Sequence, residues 1–494
     1  MAFNFNTLVL SDLHLGEDLS PTATEVTRQH TDVVERELVA FLRHYAQCRR
    51  DGRPWRLVFN GDLVDFISIC LHPEAGAGAD DQALGLARTP TVACAKVEAV
   101  GRRHRAFFIA LARFLSRGNR VEIISGNHDT EFHWPTTQTA FCEVVAAAWN
   151  EMPESQRDGA MSAAQLTDSI AFHPWFFYDE GVAWIEHGHQ YDECCSHEYQ
   201  LYPRNPKSDE IVLNVDSAGT RYVTNRLPDA EAHMQEDWSA LGYLKWGWEL
   251  GFIKSVKTLS AYFDFSRALL RVWRAHTNRR ARLEIERGHH QRLGALADKW
   301  SLPESKLARL DDLRRRPVIG HLRKLVAVLM LDKLIAYVSA AVIALLAILF
   351  VPLPWGAATA ATSFLLARLV TAYTGRGRMI DAGMDLQLTS EKILREVDAE
   401  IVVFGHTHRP VGHQLESGSW YFNTGTWVPN GRPGLLRAFT HLVICHSESG
   451  PVASLCQWRD GASRAFTPGW APEGPIEPVS APIGAPEPET ARAA

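Results

Sequence analysis

The sequence predicts an α/β fold, and three observations carry the prediction. Short apolar runs have the length and continuity of buried strands: TLVLS at 7–11, RLVFN at 56–60, VEIIS at 121–125 and IVVF at 401–404. Stretches with helical apolar spacing lie between them, and strands alternating with helices are the pattern of α/β chains. Polar residues, mostly histidine and aspartate, follow each run at once. That placement predicts a site at the C-terminal edges of the strands, where such folds bind ligands.

In chain order, apolar Val33, Val34, Leu38, Phe41 and Leu42 predict a helix over about 32–48. A second helix is expected over about 95–115. FHPWFFYDEGVAWIEHG (172–188) predicts a hairpin turning at Asp179, Glu180 and Gly181. From about 192 to 317 the pattern is mostly helical, first dense in aromatics and then in arginine. EKILREV (391–397) reads as a helix, and WYFNTGTW (420–427) and HLVICHS (441–447) as strands. Beyond 467 the chain is rich in Pro, Ala and Glu and cannot bury enough apolar surface to order itself, which predicts a disordered tail.

The 494 residues suffice for one large domain with insertions or for two to three ordinary ones. A net charge of −6 argues against a nucleic-acid partner. The eight cysteines are scattered without CxxC spacing, which suits a reducing compartment and disfavours a thiolate metal site. MAFNFNTLVLSDLH has no basic stretch followed by an apolar one, so no cleaved signal peptide is expected.

The candidate chemistry lies in five short motifs: Asp12 and His14 in DLH, Asp62 in GD, Asn127, His128 and Asp129 in GNHD, His187 in HGH, and His406 and His408 in GHTH. In DLH and GHTH the side chains stand at i and i+2, which in extended backbone would face one way. Gly61, Gly126, Gly188 and Gly405 would permit sharp turns at the strand ends. Carboxylates, imidazoles and one amide oxygen suit Mn²⁺, Fe²⁺ or Zn²⁺ better than Ca²⁺. The donors are numerous enough for two ions if one carboxylate bridges. Any motif alone means little; their joint occurrence, each after a strand, is the signal. Asp65 and His189 lie beside these residues and are candidates to orient them or touch substrate. His133 and Trp134, just past GNHD, read first as core packing.

The set SDLH, NGDLVD, SGNHD, EHGH and FGHTH resembles the calcineurin-like metallophosphoesterases over about 5–190 and 385–447. The resemblance implies a four-layered α/β/β/α sandwich with two divalent ions, Mn²⁺ first, and hydrolysis of a phosphoester or pyrophosphate. Carried over by motif, Asp12, His14 and His408 would hold one ion, Asn127, His187 and His406 the other, and Asp62 would bridge. His128, held by Asp129, would serve the leaving group. Asn423–Trp427 would support the site structurally. The UDP-2,3-diacylglucosamine hydrolase branch is similar in HG and GHTHRP, although its members are shorter and usually carry arginine where this chain has His128. A lipid-linked substrate such as UDP-2,3-diacylglucosamine is therefore one expectation. A soluble nucleotide-type substrate is the alternative, and a non-catalytic scaffold, which would be expected to lack ligands, is a third.

Between HGH and GHTH lies an apolar stretch. Leu334–Leu353 carries no charge over a length that crosses a ~30 Å hydrocarbon core as a helix. Pro352, Pro354 and Gly356 should break it, and a weaker apolar stretch containing Arg368 runs on to Tyr373. Arg314, Arg315, Arg316, Arg323 and Lys324 precede it and Arg376 and Arg378 follow, so the positive-inside rule puts both flanks in the cytoplasm. An even number of crossings is also the only topology that reunites His406 and His408 with Asp12. A buried or interfacial hairpin is the alternative. The predicted organisation is a phosphoesterase domain in two parts (1–190 and 385–465), a helical cap (191–325), a hairpin anchor in the cytoplasmic membrane (326–375) and the tail (467–494). Trp238, Tyr243, Trp246, Trp248 and Phe252 suit either helix packing or a membrane interface. The arginines of 267–288 suit a solvated face, lipid head groups or a diphosphate.

Overall fold

The computed structural model describes residues 5–72, 84–153, 157, 161–205, 208–227, 240–276, 279–329, 331–374, 382–429, 438–447 and 450–466. The predicted tail, Trp238, Arg376 and Arg378 lie outside them, as do the side chains of Tyr243, Trp246, Trp248 and Phe252.

The chain is α/β with two mixed sheets. The first holds β1 (Asn6–Leu10), β2 (Trp55–Asn60), β3 (Arg120–Ile124) and β4 (Ile170–His173) in parallel. The second contains β5 (Phe176–Asp179), β6 (Ala183–Glu186), β7 (Ile401–Phe404), β8 (Val411–Gln414) and β9 (Trp420–Asn423), in the order β5-β6-β7-β9-β8. Strands β10 (Thr440–Ser447), β11 (Gly450–Arg459) and β12 (Ala462–Ala465) extend the first sheet antiparallel, β10 beside β1.

The apolar runs are continuous because both faces of each sheet are covered. Along β1 and β2, Leu8, Leu10, Leu57 and Phe59 face outward into one apolar cluster, and Val9 and Val58 face inward into another. That inner cluster also takes Ile185, Val403 and Phe422 from the second sheet, so the two sheets pack face to face. Helices α1 (Glu25–Gln47), α2 (Pro90–Arg103), α3 (Arg105–Ser116) and α4 (Pro135–Glu151) cover the outer face of the first sheet. After α5 (Ala163–Thr167), the inserted segment forms α6 (Val215–Tyr222), α7 (Ala240–His276), α8 (Arg279–Trp300), α9 (Glu304–Asp311) and α10 (Leu322–Val328). Helices α8 and α9 cover the second sheet: Leu293, Leu296, Leu307 and Leu310 pack with Trp184, Val402 and Phe404. Part of the expected cap thus belongs to the core of the fold.

The helix expected over 95–115 is two helices joined at His104, whose backbone leaves the helical region (φ −107°, ψ 44°). Tertiary contacts fix that break: the buried ring accepts from Gly16 N at 3.2 Å and its Nδ1 lies 3.3 Å from Glu35 Oε2. The expected 172–188 hairpin is also divided. Phe172 and His173 pair in the first sheet, and only β5 and β6 form the hairpin, turning at Gly181 (φ 74°). Strands β8 and β12 lack apolar runs because they are sheet edges with exposed or half-buried side chains.

The apolar stretch forms α11 (Leu331–Phe350) and α12 (Leu353–Thr374), packed as a hairpin. Both are long and apolar enough to cross a membrane. Their mutual face is small: Ala340, Ala344, Ala347, Gly356, Ser363, Ala367 and Thr371. A Cβ on Gly356 would come within 2.8 Å of Ala347 O, so glycine permits the close crossing. Pro354 and Gly356 sit inside the first turn of α12 rather than ending a helix, since proline is tolerated there. The outward face is large and apolar, with Phe350 79%, Leu353 78% and Trp355 71% exposed. After the sheet-covering α13 (Ala382–Leu394), the chain enters β7.

Candidate metal centre

Five strand ends converge. The loops after β1, β2 and β3 are tied by backbone hydrogen bonds: Asp12 N donates to Gly61 O (3.2 Å), Leu13 N and His14 N both donate to Asp62 O (3.0 Å), and Phe66 N donates to His128 O (3.1 Å). The loop after β7 joins them where His406 N donates to Asp12 Oδ2 at 3.2 Å. Asn423 Nδ2 donates to Gly405 O at 2.6 Å, and Thr426 Oγ1 to Asp12 O at 3.1 Å, so the segment after β9 braces the site from behind.

The extended geometry expected for DLH and GHTH is not what aims these side chains. Asp12, His14, Asp62, His406 and His408 all have φ between 49° and 67°. Left-handed backbone costs roughly 1–2 kcal/mol at a non-glycine residue, a strain that clusters at functional sites. It occurs after β1, β2 and β7, where Asp12, His14, Asp62 and His408 are brought toward one another while His406 faces Asp192. The glycines contribute in two ways. Gly61 and Gly188 have positive φ (83° and 103°), whereas Gly126 and Gly405 are needed for close approach. A Cβ on Gly126 would lie 2.2 Å from Asp62 Oδ1, and one on Gly405 2.6 Å from Ser11 Oγ. Replacing Gly61 with Ala puts a methyl 2.3 Å from His187 Nδ1 at a left-handed position. Were the centre to hold Mn²⁺, Gly61→Ala would be expected to lower its affinity about tenfold or more, the scale seen when a group that orients a metal ligand is disturbed; calorimetry that found affinity unchanged would contradict this geometry.

Donor atoms group in overlapping sets. Asp12, His14 and His408 place theirs within 4.8 Å of one another, as do Asp12, Asp62 and His187. His408 Nε2 is 3.0 Å from Asp12 Oδ1. His187 Nδ1 donates to Asn60 O at 2.8 Å, which leaves Nε2 facing Asp62 Oδ2 and Asn127 Oδ1, each at 3.2 Å. That backbone contact fixes the orientation of the ring, as such contacts do for imidazoles that ligate metals. His406 stands apart from these sets: its ring is 5.4 Å from that of His187, and its Nε2 is 3.2 Å from Asp192 Oδ2. Asp192, Cys195 and His406 form a further group.

The electrostatics call for positive charge. Burial would raise the Asp12 carboxyl, yet the His408 imidazole overrides it and brings it down to about 2. Asp62 is likewise held well below the carboxylate range, burial being outweighed by His187 and His128. Burial opposes charge on His187 as well, but Asp62 pushes it up to about 9. Without cations, protons on histidine balance the buried carboxylates. The donor set therefore fits divalent metal ions.

His128 is held by a different residue from the one the resemblance implied. Its Nδ1 donates to Asp65 Oδ1 at 2.9 Å. Asp129 instead accepts from Gly126 N (2.6 Å) and Leu63 N (2.8 Å), bracing the loop. Burial and then the charge of Asp62 raise its carboxyl to about 7. Burial would lower His128, but Asp65 and Asp62 hold it well above the usual imidazole range. Asp65 also lies 3.6 Å from His14 Nδ1. His189, 5.5 Å from the His187 ring, is buried and kept neutral by burial and by His187; its Nδ1 makes no hydrogen bond among the described residues. Trp134 lies in the core and His133 contacts Arg292, in keeping with packing.

Two carboxylates escaped the motif reading. Asp192 faces His406, and Asp216 accepts from Asn127 Nδ2 at 3.1 Å and lies 3.7 Å from His128 Nε2. Both come from the inserted segment, where no motif marks them. No protein-family model and no curated protein matches the sequence.

Proposed function

We propose that this chain is a dinuclear metal-dependent phosphoesterase of the calcineurin-like metallophosphoesterase kind, anchored to a membrane by its apolar hairpin. The observation that carries the reading is the convergence of Asp12, His14, Asp62, Asn127, His187 and His408, from separate strand ends, on overlapping donor groups with a buried carboxylate between them. The order helices, sheet, sheet, helices supports the four-layered sandwich.

Asp12, His14 and His408 would hold one cation, and Asn127 and His187 the other, with Asp62 shared; the resemblance would add His406 to the second, although its Nε2 here faces Asp192. Bound divalent cations supply an acidified water and neutralise phosphate oxygens. The chain supplies the rest. His128, fixed through Nδ1 by Asp65, presents Nε2 to the leaving oxygen; in the metal-free site burial would lower its pKa, but Asp65 and Asp62 raise it. The left-handed loops hold the donors in place before substrate arrives.

The hairpin reading draws on the exposed apolar face and on Arg315, Arg316 and Arg323, exposed at its root. It sets both flanks on the cytoplasmic side. Arg267, Arg271, Arg274, Arg279, Arg280, Arg282 and Arg287 are exposed, as a solvated or head-group-facing surface requires.

The test is hydrolysis of bis(p-nitrophenyl) phosphate by detergent-purified protein with Mn²⁺, expected to stop on chelation; metal-independent hydrolysis would sink the proposal. UDP-2,3-diacylglucosamine in the same assay separates a lipid-linked substrate (UMP release) from a soluble one. Metal affinity should depend on pH. A ligating imidazole must be deprotonated, and in the metal-free site His187 holds its proton up to about 9. Its raised pKa stabilises the metal-free fold below the ordinary value of 6.5, and that contribution is lost as pH rises through about 9. Mn²⁺ affinity should therefore rise between these values; calorimetry showing a flat profile would refute the assignment of His187.

A further inference from the structure

We infer that Asp216 selects the leaving group by charge, favouring phosphodiesters that release a cationic or neutral alcohol over substrates that release a phosphate. The inference rests on the phosphoesterase reading and narrows its substrate class.

His128 has one ring nitrogen committed to Asp65, so Nε2 is the nitrogen left for a departing oxygen. Asp216 Oδ2 lies 3.7 Å from that Nε2 and 3.1 Å from Asn127 Nδ2. An oxygen that takes a hydrogen bond from His128 Nε2 must sit beside the Asp216 carboxylate. In the reaction, water adds to phosphorus, the proton it loses passes to solvent, and the bond to the leaving oxygen breaks. Its electron pair stays on that oxygen, which takes the proton from His128. An alcohol leaves this position neutral, or with its ammonium turned toward Asp216. A phosphate leaves it as an anion against a fixed anion. Among the described residues no lysine or arginine pairs with Asp216.

The carboxylate is held in place. Asn214 caps α6, accepting from Ser217 N at 2.8 Å and donating to Cys195 O at 2.5 Å. Asp216 N donates to Cys194 O at 3.3 Å. Val215, Ala218 and Tyr222 bury the helix against Leu269, Ile319, Leu325 and Leu329, at the root of the apolar hairpin. The charge is thus built into the fold, with its side chain only 29% exposed.

The experiment compares kcat/KM for glycerophosphoethanolamine and UDP-glucose in the full-length protein and in Asp216→Asn. The native protein should prefer the former about tenfold or more, as expected for one charge contact in a partly desolvated site, and Asp216→Asn should abolish most of that preference. Asp216→Glu should keep it. Calorimetry with Mn²⁺ present supplies a readout free of turnover: O-phosphoethanolamine should bind about tenfold tighter than methyl phosphate, and equally in Asp216→Asn. A preference unchanged by Asp216→Asn, or equal affinities in the native protein, overturns the inference. Absence of bis(p-nitrophenyl) phosphate hydrolysis counts against the phosphoesterase reading instead, and the calorimetric comparison still decides the role of Asp216.

Discussion

Asp62→Asn is expected to reduce metal-dependent hydrolysis by about a thousandfold or more, a loss of about 4 kcal/mol of transition-state stabilisation. Asp62 faces both donor groups: Oδ2 is 3.2 Å from His187 Nε2 and 4.0 Å from His14 Nε2. Its Oδ1 accepts from His128 N at 2.8 Å, a bond the amide oxygen of Asn can still accept. The substitution thus preserves shape and removes the charge that attracts cations. Metal content by mass spectrometry should fall below that of the native protein while the far-UV circular dichroism stays the same. Activity within tenfold of native, with full metal content, would show that Asp62 is not the shared ligand.

Placing arginine at both Ile343 and Leu346 should move the protein from the membrane fraction to the soluble one. Both side chains are exposed on α11, and each arginine near the middle of a crossing helix costs roughly 2.5–3.5 kcal/mol of insertion. The candidate donors Asp12, His14, Asp62, Asn127, His187 and His408 come from strand ends of the two sheets, so hydrolysis of a soluble diester should persist. Retention in the membrane fraction after a high-salt wash would show that the hairpin is not the anchor. Concurrent loss of diester hydrolysis would show that it contributes to the fold of the site.

The motif residues were legible because each donor follows a strand whose apolar run is itself legible. IVVF predicts β7 to the residue, and GHTH comes directly after it. The orientation of those donors was not legible. Alternation in extended backbone was the expectation, but Asp12, His14, His406 and His408 are left-handed. Such φ values are stabilised by contacts such as His406 N with Asp12 Oδ2, between residues 394 apart in the chain. The partner of His128 was misassigned for the same reason: Asp129 is its neighbour in sequence, but Asp65, on another loop, reaches its ring.

Hydropathy period and residue chemistry are local properties, so the order of residues alone specified an α/β chain, the candidate donor residues that its strand ends bring together and a segment apolar enough for lipid. Sheet order, the break at His104, the helices that cover the second sheet and the carboxylates of Asp192 and Asp216 depend on which distant segments meet. Those meetings are set by packing two covered sheets against each other, a free energy summed over the whole core that no single stretch of sequence carries.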